Sequence, residues 1–362
     1  MATVETPRSS PVPDFMESEI VKRNLDRARR GWEVLVDRDA PPVGATPKDV
    51  IYASGTLRVY RYRPMQDEVY RIPLVLVMSL ISKPYILDLS PGQSLVEYLL
   101  HEGFDVYMVD WGVPRPEDKR LGLEYYVLEA LPRSIAEVQK VSEEEQVNIF
   151  GYCMGGLLAL MYNGIVHDAP VANMVCAATP VDFNGMGLFR RWMDRRWFDV
   201  DRLVDTLGNV PADMLFRSFE MLRPAQRWAE YARLIDNLWN DMYVKNYRLF
   251  NRWVYEQIPF PGEAYRQFIK ELMWENKLMK GEMTVGGRRV DTSAIKVPVC
   301  HIMAEHDHIA PYEAAKPLTS IVGSEETENI VLKGGHVSLI AGRNAWFRLW
   351  PHLSQWLGVR SV

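Results

Sequence analysis

The sequence predicts an α/β fold in which a mostly parallel β-sheet carries helices on both of its faces. Short, continuously apolar strand candidates alternate with helical segments along most of the chain, which is typical of parallel strands buried on both faces. One long helical and aromatic-rich stretch without a buried strand interrupts this alternation. The length of 362 residues exceeds that of an ordinary compact domain, so we expect a core with a large insertion.

Two segments precede the alternating part of the chain. Residues 1–16 are rich in Pro, Ser and Thr, and we expect them to be disordered. A polar helix with one apolar face is predicted for residues 17–36. Strand candidates at 50–53 and 57–62 are separated by Ser-Gly-Thr, which predicts an antiparallel pair at one edge of the sheet.

The remaining elements follow from the apolar pattern. Further strand candidates are 73–79, 104–109, 147–150, 172–177, 297–303 and 327–332. Predicted helices are 93–102, 123–141 with a kink at Pro132, 154–167, 311–321 and 344–357.

We expect a helical cap at residues 183–291, inserted between the two parts of the core, 17–182 and 292–362. The cap contains six tryptophans: Trp192, Trp197, Trp228, Trp239, Trp253 and Trp274. These side chains either help to exclude water from a site or fill the core of the cap itself, and the sequence leaves both possibilities open.

The composition limits the classes of function. Hydrophobic residues make up 48% of the chain and charged residues 25%, which is an ordinary globular balance. A formal net charge of −5 argues against electrostatic binding of nucleic acid.

The N-terminus lacks the pattern of a signal peptide, and the longest apolar run is too short for a transmembrane segment. Three cysteines form a poor disulfide framework, so we expect a cytoplasmic protein.

The clearest chemical signal is Gly-x-Cys-x-Gly at residues 151–155, which joins an apolar strand candidate directly to a helix. This pattern is that of a nucleophile elbow, with Cys153 in place of serine. The helix N-terminus favours a thiolate, and the backbone N–H of Met154 would face a developing oxyanion. The alternative is a structural cysteine in a chance glycine-rich turn.

Two residues further along the chain complete a candidate triad. His336 follows the last strand candidate and is the expected base, unless it is a loop histidine bonded to solvent. Asp307 follows the preceding strand, where the acidic member belongs. The chain order Cys153, Asp307, His336 is the nucleophile–acid–base order of the α/β-hydrolase fold, which we therefore predict.

Other reactive side chains have simpler interpretations. His301, His306 and His308 do not form a convincing closed ligand set, so no metal is expected. Cys176 and Cys300 lie in apolar strands and are interpreted as small core residues. The chain contains no P-loop and no Gly-x-Gly-x-x-Gly motif, which argues against a nucleotide-dependent enzyme.

Beyond the triad, the chain resembles the catalytic subunit of polyhydroxyalkanoate synthases. The resemblance runs from about residue 50 to the C-terminus and is carried by GYCMGG, DHIAP, GGHVS, PYILDLSPGQSLVEYLL, GFDVYMVDWGVP, TPVDF and FPGEAYRQFIKEL. Because no long N-terminal domain precedes these motifs, the chain is similar to the short subunit of a two-component synthase, class III or class IV. Such subunits work with a second protein, PhaE or PhaR.

The resemblance implies an acyltransferase mechanism. Cys153 would attack the thioester of an (R)-3-hydroxyacyl-CoA, with 3-hydroxybutyryl-CoA the expected monomer, and CoA would leave as a polyester grows. His336 would deprotonate the thiol, and Asp307 would activate the 3-hydroxyl directly or through His336. No separate cofactor is implied, since CoA belongs to the substrate. The family also implies a homo-oligomer at the surface of polyester granules.

The loop after the third strand should supply a second oxyanion donor, the backbone N–H of Ile81. Ser82 departs from the family pattern, in which asparagine is usual at this position. Nearby, the residues 110–112 end another strand and either line the site or only form a turn. Two alternatives to a synthase remain open: a Cys-type hydrolase or thioesterase of the same fold, and a non-catalytic granule or scaffold protein.

Overall fold

The computed structural model describes residues 42–342 and 345–362, together with eight helical residues between positions 19 and 31. These eight residues fall within the helix predicted for 17–36, whose two ends lie outside the described residues. The stretch 1–16, for which we predicted disorder, also lies outside them.

An eight-stranded sheet forms the centre of the described chain. Its strands are β1 (Lys48–Ser54), β2 (Leu57–Tyr62), β3 (Leu74–Val77), β4 (Val106–Asp110), β5 (Val147–Tyr152), β6 (Val171–Ala177), β9 (Val299–Ala304) and β10 (Thr327–Leu332). The spatial order is β1-β2-β4-β3-β5-β6-β9-β10. Only the β1–β2 and β2–β4 pairings are antiparallel, and the other five are parallel, which confirms the predicted fold class.

The burial of the central strands explains why their sequences are continuously apolar. Every residue of β3, β5 and β9 is buried, as expected for parallel strands covered on both faces. The helix Met154–Ile165 is also buried along its whole length. The strands β3, β5, β6, β9 and β10 run parallel, so their carboxyl ends meet at one edge of the sheet.

The helices of the core are Leu95–His101, Leu131–Ser142, Met154–Ile165, Tyr312–Ala315, Leu318–Ile321 and Trp350–Gly358. The single helix predicted for 311–321 was wrong: Pro317 separates two short helices because it has no N–H to continue the hydrogen bonding of the first. A π-helical segment, Tyr125–Ala130, leads into the predicted 123–141 helix. Pro132 therefore lies in the first turn of the α-helical part, where proline is tolerated.

The segment between β6 and β9 is largely helical. Its helices are Leu188–Trp192, Val200–Leu207, Ala212–Leu222, Pro224–Asp236, Asp241–Tyr255, Gly262–Gln267, Phe268–Trp274 and Lys277–Lys280, followed by a hairpin of β7 (Thr284–Val285) and β8 (Arg288–Arg289). Arg223–Arg252 and the described residues before 42 form one compact unit, and residues 42–222 and 253–362 form another. The cap boundaries at 183 and 291 stay a prediction.

The six tryptophans of this segment do not share one environment. Trp253 is buried, and Trp192 and Trp274 are half-buried. The other three, Trp197, Trp228 and Trp239, are exposed. Filling the core of the cap therefore accounts for only some of them. Within the described ranges, no helix has the length and apolarity needed to cross a bilayer.

Candidate active site

Cys153 occupies a strained turn between β5 and the helix Met154–Ile165. Its φ of 55° and ψ of −118° lie outside the regions that L-residues ordinarily adopt, at a cost of about 1–3 kcal/mol. The turn is held by a hydrogen bond of 2.8 Å from the Cys153 N–H to the carbonyl oxygen of Ala177. Cys153 is partly exposed, whereas Cys176 and Cys300 are fully buried. The local fold therefore presents this one sulfur at the sheet edge.

Glycines next to the nucleophile permit this geometry. A Cβ on Gly155 would overlap the backbone carbonyl oxygen of Val77, at the end of β3. A Cβ on Gly156 would overlap the hydroxyl oxygen of Thr179, in the loop after β6. The helix thus packs directly against the ends of the neighbouring strands, and only residues without a side chain fit there.

The structure brings the three residues of the predicted triad to the same edge. Asp307 follows β9 and His336 follows β10, and Asp307 Oδ2 lies 2.7 Å from His336 Nδ1. The second oxygen, Oδ1, accepts hydrogen bonds from the backbone N–H groups of Ile309 at 2.8 Å and Ala310 at 2.9 Å. Because both oxygens have fixed partners, the carboxylate is held in the orientation that polarises the imidazole.

The charges around His336 favour its protonated form. Burial by itself lowers the pKa of this imidazole, but the negative charges of Asp307 and Cys153, with hydrogen bonds to both, raise the pKa to about 10. The raised pKa favours the imidazolium at neutral pH, and a positive charge beside a cysteine favours formation of a thiolate. Such a pair is the activated state of a cysteine nucleophile.

Tyr152, which the sequence analysis did not single out, supports the histidine loop. Its hydroxyl donates a 3.2 Å hydrogen bond to the carbonyl oxygen of His336, and the two ring centroids lie 5.1 Å apart. Burial, followed by the nearby charges of Cys153 and Asp307, raises the pKa of Tyr152 well above its ordinary value. The hydroxyl therefore stays protonated and acts as a donor. Its position immediately before Cys153 is the sequence feature that could have indicated a role at the site.

The two predicted oxyanion donors lie at the ends of neighbouring strands. Met154 is the first residue of its helix, so its N–H is not used by the helix's own hydrogen bonds. Ile81 lies in the loop after β3, which pairs with β5. The Ile81 carbonyl oxygen accepts a 3.1 Å hydrogen bond from the N–H of Ile258. Their roles as donors stay a prediction.

The residues 110–112 do more than form a turn. The N–H of Gly112 donates to Asp110 Oδ1 at 2.9 Å, and Gly112 has a positive φ of 72°. The intervening Trp111 is buried, and its indole N–H donates a 2.9 Å hydrogen bond to the carbonyl oxygen of Met78. Trp111 therefore fixes the start of the loop that carries Ile81.

Of the remaining titratable candidates, His301, Cys176 and Cys300 are core residues, whereas His306 is exposed and His308 is half-buried. His301 is fully buried within β9, and burial lowers its pKa to about 3, so the ring is neutral. Burial raises the pKa of Cys176 to about 12 and that of Cys300 further, which keeps both thiols protonated. Among the residues that the structure describes, no three or more His, Cys, Asp or Glu side chains are grouped so as to hold a metal ion.

Solved structures agree with the architecture. A thermophilic esterase from Thermogutta terrifontis superposes with a TM-score of 0.51 at 15% identity, covering 87% of this chain and 100% of the esterase. An esterase from Exiguobacterium antarcticum gives a TM-score of 0.50 at 15% identity, with 85% and 98% covered. At this identity the likeness concerns the fold alone.

Sequence comparisons identify the family. The profile of the alpha/beta hydrolase fold matches residues 82–342, and that of the poly-beta-hydroxybutyrate polymerase (PhaC) N-terminus matches residues 38–99. The chain is 35% identical to the poly(3-hydroxyalkanoate) polymerase subunit PhaC of Haloferax mediterranei, covering 93% of this chain and 72% of the relative. It is 32% identical to that of Allochromatium vinosum, with 96% and 99% covered. The chain therefore belongs to the family of PhaC subunits of poly(3-hydroxyalkanoate) polymerases, built on the α/β-hydrolase fold.

Proposed function

We propose that this chain is an acyltransferase that polymerises (R)-3-hydroxyacyl-CoA into polyhydroxyalkanoate through a thioester on Cys153, with release of CoA. The observation that carries the proposal is the partly exposed Cys153 at a strained elbow, beside a His336 whose pKa is raised to about 10. Membership of the PhaC family supplies the class of reaction, since the relatives are named as poly(3-hydroxyalkanoate) polymerases.

In the first half-reaction, the Cys153 thiolate attacks the carbonyl carbon of the CoA thioester. The N–H groups of Met154 and Ile81 stabilise the oxyanion that forms. When the intermediate collapses, the bond to the CoA sulfur breaks, and His336 donates its proton so that CoA leaves as a thiol. One thioester replaces another, so the step is nearly isoenergetic and the acyl group remains activated.

In the second half-reaction, a 3-hydroxyl group attacks the acyl-enzyme. The imidazole of His336 is neutral after the first step and takes the hydroxyl proton, while a new ester bond forms and the thiolate of Cys153 leaves. This step regenerates the starting ion pair. Both oxygens of Asp307 already have partners and its side chain is 1% exposed, which supports an action through His336 rather than on the hydroxyl itself.

The proposal extends to partners and location. The relatives are named as polymerase subunits, which supports a second subunit of the PhaE or PhaR type. We expect 3-hydroxybutyryl-CoA as the preferred monomer and a homo-oligomer that works at the surface of polyester granules. A Cys-type hydrolase of the same fold remains the alternative function, because a similar triad serves both reactions and only the acceptor differs.

Incubation with (R)-3-hydroxybutyryl-CoA separates the two functions. The protein, alone and co-expressed with each candidate second subunit, should release CoA and form an insoluble polyester. Free 3-hydroxybutyrate as the product would instead indicate a hydrolase. Cys153→Ala should abolish CoA release, whereas the control Cys176→Ala removes a fully buried thiol and should preserve it. Undiminished release by Cys153→Ala would refute the assignment of the nucleophile.

A further inference from the structure

We propose that Trp253 and Gln257 are positioning residues that hold the loop carrying the oxyanion donor Ile81. This inference rests on the proposed function and deepens it. We call residues 78–85 the oxyanion loop and residues 253–258 the bracing segment. The oxyanion loop leaves β3 without regular pairing to either neighbour, so its peptide planes must be fixed by other contacts.

Two hydrogen bonds from the bracing segment end on main-chain carbonyl groups of the oxyanion loop. The indole N–H of Trp253 donates to the carbonyl oxygen of Lys83 at 3.0 Å. The backbone N–H of Ile258 donates to the carbonyl oxygen of Ile81 at 3.1 Å. Trp253 and Ile258 are 6% and 3% exposed, so both bonds lie where water competes poorly.

Side chains add a second set of contacts between the same two segments. The hydroxyl of Ser82 donates to Gln257 Oε1 at 3.2 Å, and Gln257 Nε2 donates to the Trp253 carbonyl oxygen at 2.9 Å. The hydroxyl of Tyr85 donates to Glu256 Oε2 at 2.8 Å. Gln257 thus connects the loop to the main chain that carries the tryptophan.

The oxyanion loop is therefore held at both of its ends. Trp111 bonds the carbonyl oxygen of Met78 where the loop begins, and Trp253 bonds that of Lys83 near its end. A backbone donor stabilises an oxyanion only when it is placed before the reaction, and a displacement of about 1 Å can cost about 100-fold in rate. The bracing segment therefore contributes to the acylation step without touching the substrate.

The test compares Trp253→Phe and Gln257→Met with the control Trp197→Phe. Phenylalanine removes the indole donor and keeps an aromatic ring, and methionine keeps the length of Gln257 without its hydrogen bonds. Trp197 also donates to backbone carbonyls, those of Arg191 and Trp192 at 3.2 Å, but it is exposed. The reaction measured is CoA release from (R)-3-hydroxybutyryl-CoA, with the second subunit present if wild type requires it.

Both bracing variants should lower kcat about 10- to 100-fold while KM stays near the wild-type value. Alkylation of Cys153 by iodoacetamide forms no oxyanion, so its rate should not change. Wild-type kcat in both variants, or an equal fall in alkylation, would overturn the inference. Trp197→Phe should have the wild-type kcat. An equal fall of kcat in this control would also contradict a specific role of Trp253 and Gln257. If wild type releases no CoA with either second subunit, the proposed function fails, and this inference fails with it.

Discussion

The reactivity of Cys153 depends on charges that lie within reach of its sulfur. A thiol attacks a thioester as the thiolate, and a neighbouring positive charge increases the fraction of thiolate at neutral pH. His336 supplies that charge because Asp307 and Cys153 together raise its pKa to about 10 against the effect of burial. In the proposed mechanism, Asp307 therefore acts on Cys153 through the protonation state of His336.

Asp307→Asn should reverse this arrangement. Without the carboxylate, burial dominates and the pKa of His336 falls, so the ring loses its proton at neutral pH and the thiolate loses its partner. The rate of CoA release should fall by about 100- to 10,000-fold. In wild type, the imidazolium persists as pH rises towards about 10, whereas in the variant the ring should lose its proton at lower pH and alkylation of Cys153 should slow across the neutral range.

The alkylation rate of Cys153 against pH measures this effect, with Asp194→Asn as its control. Asp194 also pairs with a cation, Arg196 at 2.9 Å, but that cation is exposed and belongs to no predicted catalytic group. The control should reproduce the wild-type profile. A wild-type profile in Asp307→Asn would mean that Asp307 does not govern the charge of His336.

The sequence pointed to the three residues of the candidate triad but not to the residues that support them. Cys153, Asp307 and His336 each carry a local motif, and the structure brings their parent strand ends to one edge. Trp253 and Lys83 lie 170 positions apart in the chain, so no local pattern relates them. Their contact follows from tertiary packing, which a single sequence does not display.

At the scale of elements, the elbow depends on how closely a helix can approach a strand. Gly155 lies against the carbonyl oxygen of Val77, and its helix, Met154–Ile165, is buried throughout. Any side chain at this position must push the helix away from β3 or distort the turn. A change that disturbs the packing of this helix should therefore also displace Cys153.

Gly155→Ala should consequently destabilise the protein and lower CoA release together. The added methyl overlaps main-chain atoms that cannot rotate away, which predicts a loss of about 1–3 kcal/mol or more in the free energy of unfolding. Gly92→Ala is the control: it has a positive φ of 74° but nothing within 4 Å of a Cβ, so only backbone strain should remain. Urea unfolding measures the free energy of unfolding of both variants. If Gly155→Ala loses no more of it than Gly92→Ala does, the close packing at Gly155 is not the cause.

Element boundaries were less predictable than element types. The strand predicted at 73–79 is reduced to Leu74–Val77, because the residues after it leave the sheet to form the oxyanion loop. Residues 311–321 are helical in character, yet Pro317 divides them. In both places the apolar pattern marks burial correctly, while backbone hydrogen bonding decides where the element ends.

For the whole molecule, the fold alone does not choose between hydrolysis and polymerisation. The esterase from Thermogutta terrifontis shares the architecture at a TM-score of 0.51, and an esterase reaction ends with water as the acceptor. Transfer to a hydroxyl requires an acyl-enzyme that survives until the acceptor arrives. Polymerisation is favoured by the sequence similarity to PhaC subunits, which extends over 99% of the Allochromatium vinosum protein.

The proposed mechanism depends on a covalent acyl thioester at Cys153. Rapid mixing with (R)-3-hydroxybutyryl-CoA, an acid quench and peptide mass spectrometry would locate the acyl group. We expect a 3-hydroxybutyryl or oligomeric adduct on the peptide that contains Cys153, formed as CoA appears and absent in Cys153→Ala. An adduct on another residue, or CoA release with no adduct at any time point, would contradict this mechanism.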